Sequence, residues 1–175
     1  MNLKGKNVLV TGGGGFGVGE GICRVLLSYG AKVIINERDD HKASIAGKKF
    51  PGAFTVVADV SKSSEVEMMF DLLGEKVGVL HGLVNNAGVG LNKPAHEATV
   101  HEFEELYDVD MKGVWLMSKF FVNQLLKNAN KGNIVNISSV HAHATIPGFA
   151  LYASAKSAVE GFTRGMAVEI GRAHV

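Results

Sequence analysis

The chain has 175 residues, enough for one domain with a sizeable core, and its 46% hydrophobic and 20% charged residues fit a soluble globular protein. A net charge of +1 from scattered lysines and arginines leaves no basic stripe, which argues against nucleic acid as a partner. The single cysteine, Cys23, excludes an internal disulfide and fits a reducing compartment such as the cytoplasm, while no apolar run nears the ~20 residues that span a membrane.

The start, "MNLKGKNVLVTGG", lacks the apolar run of a signal peptide. "NVLVT" (7–11) predicts a buried strand that ends in glycines. Residues 18–29 carry apolar positions at helical spacing and stop before Gly30, a C-cap signal. "KVIIN" (32–36) reads as the second strand, a polar helix follows at about 40–48, and "AFTVVADV" (53–60) is a third strand. Residues 63–76 predict an amphipathic helix with Val66, Met69, Phe70 and Leu73 on one face. A fourth strand lies in "GLVNNAG" (82–88). Next comes one long helix over 99–128, with Thr99 as N-cap and Glu102 completing a capping box. "GNIVNISS" (132–139) is the fifth strand, and a last helix covers roughly 150–171.

Strands alternating with helices predict a single α/β domain over 1–175, an open and mostly parallel sheet with helices on both faces. Ligands bind such sheets beyond the carboxyl ends of the strands. Polar and glycine-rich residues stand at those ends: Thr11–Gly19, Asn36–Arg38, Asp59, Asn85–Gly88 and Ser138–Ser139.

"TGGGGFGVGEGI" joins the first strand to the first helix. A pyrophosphate must approach backbone closely there, and a helix N-terminus offers free N–H groups and positive potential. Thr11, Gly12, Gly13, Gly17, Val18 and Gly19 are therefore candidate cofactor-binding residues. Glu37 lies 18 residues beyond Gly19, close to the offset at which an acid bonds the ribose hydroxyls. An acid there repels a 2′-phosphate and favours NAD. Arg38 beside it suits a 2′-phosphate and keeps NADP open.

Tyr152 and Lys156 are four residues apart and share a helix face. A phenol ionises near pH ~10, and a neighbouring ammonium favours the phenolate. Such a tyrosine can pass a proton to or from a substrate oxygen while hydride moves to or from a nicotinamide. Ser139, after the fifth strand, is placed to bond the same oxygen. His141 and His143 follow it, either as substrate contacts or as solvated loop residues. Seven histidines with one cysteine and no HxxxH-type spacing do not argue for a metal site.

Taken in order, "TGGGGFGVG", "ADV", "NNAG", "NISS" and "YASAK" resemble the motifs of the short-chain dehydrogenases/reductases, in their simple single-domain branch. The resemblance runs the length of the chain, and Ser139 precedes Tyr152 by the family's thirteen residues. It implies a Rossmann-type doubly wound sheet in three α/β/α layers. It implies that Tyr152 is the acid/base, that Lys156 lowers its pKa and holds the nicotinamide ribose, and that Ser139 orients the substrate oxygen. Asp59 and Val60 would contact adenine, and Asn85, Asn86, Ala87 and Gly88 would shape the cofactor floor. The cofactor would be NAD or NADP, and the substrate a secondary alcohol or ketone.

The chain departs from the family pattern in four places. Four residues, not three, separate Gly12 from Gly17. Either the loop bulges by one, or Gly13 takes the first glycine's place. Asp110 stands where the family has a catalytic asparagine, and the expectation is a pairing with Lys156 or a backbone bond at a helix kink. His81 replaces a common acid as a neutral structural swap. Finally, "GRAHV" reads as the turn into a sixth strand, so the sheet would lack the family's last two strands, as in a truncated product. A truncated chain leaves a second reading open, that of a non-catalytic nucleotide- or partner-binding fragment. The family's pairing of long helices implies a homo-oligomer for a complete chain, with Ala153, Ala155, Ala158 and Gly161 as a small-residue surface.

Overall fold

The computed structural model describes residues 2–171; the expected turn in "GRAHV" lies, from residue 172 on, outside the described residues. Five strands are ordered β3-β2-β1-β4-β5. They are β1 (Asn7–Thr11), β2 (Lys32–Glu37), β3 (Phe54–Val57), β4 (Gly82–Asn85) and β5 (Asn133–Asn136). The pairs β1–β2, β1–β4 and β2–β3 are all parallel. The helices are α1 (Val18–Ser28), α2 (Asp40–Lys49), α3 (Ser63–Lys76), α4 (Val100–Tyr107), α5 (Val114–Lys127) and α6 (Ala150–Gly171). No described helix is long and apolar enough to cross a membrane.

The chain divides into two compact units. The first holds residues up to Ala87 together with Leu116–Val135; the second holds Gly88–Trp115 and the residues from Asn136 onward. The first unit is built on β1, whose five residues are all buried. Leu9, Ile34, Ile35 and Leu83 are among its fully buried side chains. Each contributes about 1.5–3 kcal/mol by leaving water. Helix α3 buries the four residues its periodicity predicts, Val66, Met69, Phe70 and Leu73. The register places Thr11 beside Asn36 and Val10 beside Val84, so the carboxyl ends of β1, β2 and β4 lie together. The order reverses on either side of β1, and that is where a ligand crevice forms on an open parallel sheet.

Strands β3 and β5 are shorter than the sequence suggests, and β4 ends within the segment expected to hold it. Beyond Asn85 the backbone leaves the ladder: Asn86 N and Ala87 N both donate to Thr11 Oγ1, at 3.0 and 2.9 Å. At β3, Asp59 N turns to the Glu65 carboxylate at 2.8 Å.

In the second unit the expected capping box is present on α4, with Thr99 Oγ1 accepting from Glu102 N and the Glu102 carboxylate accepting from Thr99 N. The single helix expected over 99–128 is not continuous. A π turn at Asp108–Gly113 separates α4 from α5. It falls at Asp110, the residue at which a helix kink was one of two expectations. Of the small residues expected to offer a packing surface on α6, Ala153 and Ala158 are half-buried. Ala155 is fully buried, and of the four only Gly161 is exposed.

Candidate functional site

In the first unit the glycine-rich turn is shaped by close backbone approach. Gly12 N donates to Asn36 O at 2.8 Å, extending the β1–β2 pairing by one step. Asn86 Nδ2 donates to Thr11 O and Gly12 O at 2.9 and 3.0 Å, pinning the turn to the segment after β4. Gly19, in the first turn of α1, packs so tightly on this staple that a Cβ would stand 2.5 Å from Gly12 O and 2.6 Å from Asn86 Nδ2. Gly17 takes the N-cap position with φ 108 and no side-chain cap. No described atom lies within 4 Å of where a Cβ on Gly15 or Gly17 would stand. Bare backbone at an uncapped helix N-terminus is what a pyrophosphate requires, so these residues fit a dinucleotide. Val18 opens α1 as an exposed residue.

The longer loop stands out at Phe16, which is 96% exposed. Lys49, from the end of α2, holds it. The ammonium lies 4.1 Å from the Phe16 ring centre, 3.1 Å from Gly15 O and 2.7 Å from the Glu20 carboxylate. Glu37, expected to face ribose hydroxyls, is buried, and its Oε1 accepts from Gly14 N at 2.6 Å. Arg38 beside it is exposed. Cys23 lies under the loop, where burial first and the Glu37 charge second push its thiol up to about 11. It is a core residue and no nucleophile.

Asp59 and Val60 follow β3. Burial works against ionisation of Asp59, but the hydroxyl and amide of Ser61, with Lys62 and Arg38 nearby, hold the carboxyl below its ordinary value. Val60 is buried. Asn85 is buried too, and its Nδ2 donates to Ser118 Oγ on α5 at 3.1 Å. His81 accepts from Asn7 N at Nδ1, and burial, then Lys6, hold its imidazole below the ordinary value.

The second unit holds the residues expected to do acid–base work. Tyr152 and Lys156 lie on α6, with the Lys156 ammonium 5.6 Å from the Tyr152 ring centre. Asp110 sits in the π turn and makes both contacts that the sequence set as alternatives. Its Oδ1 accepts from Val89 N at 2.7 Å, and its Oδ2 stands 3.0 Å from Lys156 Nζ. The two side chains are 0% and 6% exposed. Gly88 leaves room for the pair, since a Cβ there would stand 3.3 Å from both Asp110 Oδ1 and Lys156 Nζ. Lys156 Nζ also reaches Ile137 O at 3.4 Å.

Ser139 caps a 3-10 turn at Val140–Ala142, and its Oγ accepts from His141 N at 3.2 Å. The histidines part company here. His143 is exposed and lies 3.0 Å from the Glu160 carboxylate. His141 joins Phe149 and Tyr152 in a cluster of rings. Sequence reasoning passed over Glu160, whose Oε1 accepts from Ser138 Oγ at 2.9 Å and ties the loop after β5 to α6. It also passed over Ser118 and Lys49. Polar residues one face apart on a helix carry no sequence signal of such long-range bonds.

The sequence matches the model of the short chain dehydrogenase family over residues 6–175. Zerumbone synthase of Zingiber zerumbet is 34% identical over 177 residues, which take in 98% of this chain and 66% of that protein. Two solved structures share the fold, each with a TM-score of 0.90 and each covering 98% of this chain. One is a gluconate 5-dehydrogenase from Burkholderia cenocepacia in complex with NADP and tartrate, 31% identical, of which this chain covers 68%. The other is a 3-ketoacyl-(acyl-carrier-protein) reductase from Brucella melitensis complexed with NADH, 34% identical, of which it covers 73%. The chain spans about two thirds of the length of the curated relatives it matches.

Proposed function

This chain belongs to the short chain dehydrogenase family, and on that premise we propose that it carries the nucleotide-binding and acid–base parts of an oxidoreductase of secondary alcohols and ketones. The observation that carries the reading is the buried Asp110–Lys156 pair beside Tyr152, in a chain that also presents an open glycine-rich helix start. A nicotinamide, when bound, supplies the hydride acceptor or donor. In the first unit Gly12, Gly13, Gly17, Val18 and Gly19 would hold its pyrophosphate, and Asp59 and Val60 its adenine. NAD is the favoured form. Glu37 would meet the ribose through Oε2, because Oε1 is engaged by Gly14.

In the direction of alcohol oxidation, the Tyr152 oxygen takes the substrate's hydroxyl proton as the carbon–hydrogen bond breaks. In ketone reduction it returns that proton. Ser139 holds the substrate oxygen by a hydrogen bond, which fixes the reacting carbon for transfer. Lys156 keeps a cation close to the phenol.

The test uses the full-length protein with NAD or NADP and a panel of secondary alcohols deuterated at the carbinol carbon. Deuterium should appear in the reduced nicotinamide, with NAD preferred. Absence of label from every alcohol, with nucleotide binding intact, overturns the reading.

A further inference from the structure

Resting on that reading, we propose that His141 is a positioning residue for the reaction, setting Ser139 through its backbone and Tyr152 through its ring. The 3-10 turn that carries it is closed by hydrogen bonds from Ala142 N to Ser139 O and from His143 N to Val140 O, both 3.0 Å. In that turn His141 N donates to Ser139 Oγ at 3.2 Å, so the serine hydroxyl has one oxygen lone pair assigned and its proton directed elsewhere.

The ring is fixed independently. His141 stacks on Phe149 with centroids 4.6 Å apart and planes 16° from parallel. Its Nδ1 is 3.1 Å from Thr145 Oγ1, which sets rotation within that stack. Against this wall Tyr152 stands edge-on, 5.8 Å from His141 at 76° and 6.2 Å from Phe149 at 75°. Edge-to-face contacts of this kind are favourable and directional. The Lys156 ammonium lies 5.6 Å from the Tyr152 ring centre. A half-buried tyrosine that would otherwise turn about its side-chain bonds is held between two rings and a cation. One residue thus orients both hydroxyls that the proposed chemistry uses.

The test compares His141→Ala and His141→Phe in the full-length protein. His141→Ala keeps the backbone donor and removes the ring. It should lower kcat roughly 10- to 100-fold, the scale of a modest loss of alignment, with the nucleotide KM unchanged. Ring-flip rates of Tyr152, followed by NMR on ring-labelled tyrosine, should rise in the same variant. His141→Phe restores the stack and should recover both. Should His141→Ala fail to fold, Phe149→Ala removes the backing ring and carries the same expectation. A kcat and a flip rate that match the wild type in either Ala variant overturn the proposal. So does a parallel loss in kcat that His141→Phe does not repair. If the wild type turns over no alcohol, the functional reading fails, while the flip rates still decide whether His141 holds Tyr152.

Discussion

Around Gly19 the chain has removed side chains, and around Lys156 it has buried two charged ones. The first arrangement makes a site from exposed backbone: no Cβ fits at Gly19, and Gly15 and Gly17 are open. The second spends stability, because taking a carboxylate and an ammonium out of water costs several kcal/mol per ion. The Asp110–Lys156 pair recovers part of that through its 3.0 Å contact and the Val89 amide. A core made of apolar residues would cost less, so stability alone does not account for the pair. The difference teaches where each site is vulnerable. One fails when atoms are added, the other when atoms are removed.

The largest expected effect is on the charged pair. Asp110→Ala leaves an ammonium buried without its partner and should cost about 3–5 kcal/mol in urea unfolding. Adding Lys156→Met should return most of that loss, since removing both charges is far less costly than removing one. If the double variant is as unstable as the single, the pair is not what sets the stability of this region.

A smaller effect is expected where atoms are added. Gly19→Ala puts a methyl group 2.5 Å from Gly12 O, which is backbone and cannot swing aside. Overpacking of this kind costs about 1–3 kcal/mol. Nucleotide Kd should rise by at least ~10-fold, equivalent to about 1.4 kcal/mol. Calorimetric titration and thermal unfolding measure the two terms. An unchanged Kd would show that the nucleotide does not use this turn.

The smallest effect is one of pH. The folded pKa of His81 is held below the ordinary 6.5, by burial first and Lys6 second. The unfolded chain therefore takes up the proton first as pH falls. The stability that neutral His81 contributes is complete above pH 6.5 and is lost as pH drops through the lowered folded value. His81→Asn should flatten the stability profile over that window. Asp59 and Glu65, whose carboxyls are also lowered, act further into the acid range.

Much of this was legible in the order of residues. The glycine-rich turn, the four buried positions of α3 and the Thr99–Glu102 capping box rest on local rules, and local rules act over a few residues. The spacing of Tyr152 and Lys156 put them on one helix, and Asp110 was marked as a partner because a carboxylate stood where an amide was expected. What stayed hidden depends on distant contacts. The amide that bonds the Asp110 carboxylate at the π turn belongs to Val89, 21 residues earlier, and carries no local signal. Glu37 turns inward because Gly14, 23 residues earlier, offers it an amide. The division of labour between His141 and His143 follows from a short turn that sends one ring to Phe149 and the other to Glu160.

The most direct measurement is single-turnover hydride transfer by Tyr152→Phe in the full-length protein, beside its nucleotide affinity. The account predicts that the rate falls by about 10²–10⁴-fold, the usual contribution of a positioned acid or base, while nucleotide Kd stays within about two-fold, ~0.4 kcal/mol. Transfer at the wild-type rate without that phenol would contradict it.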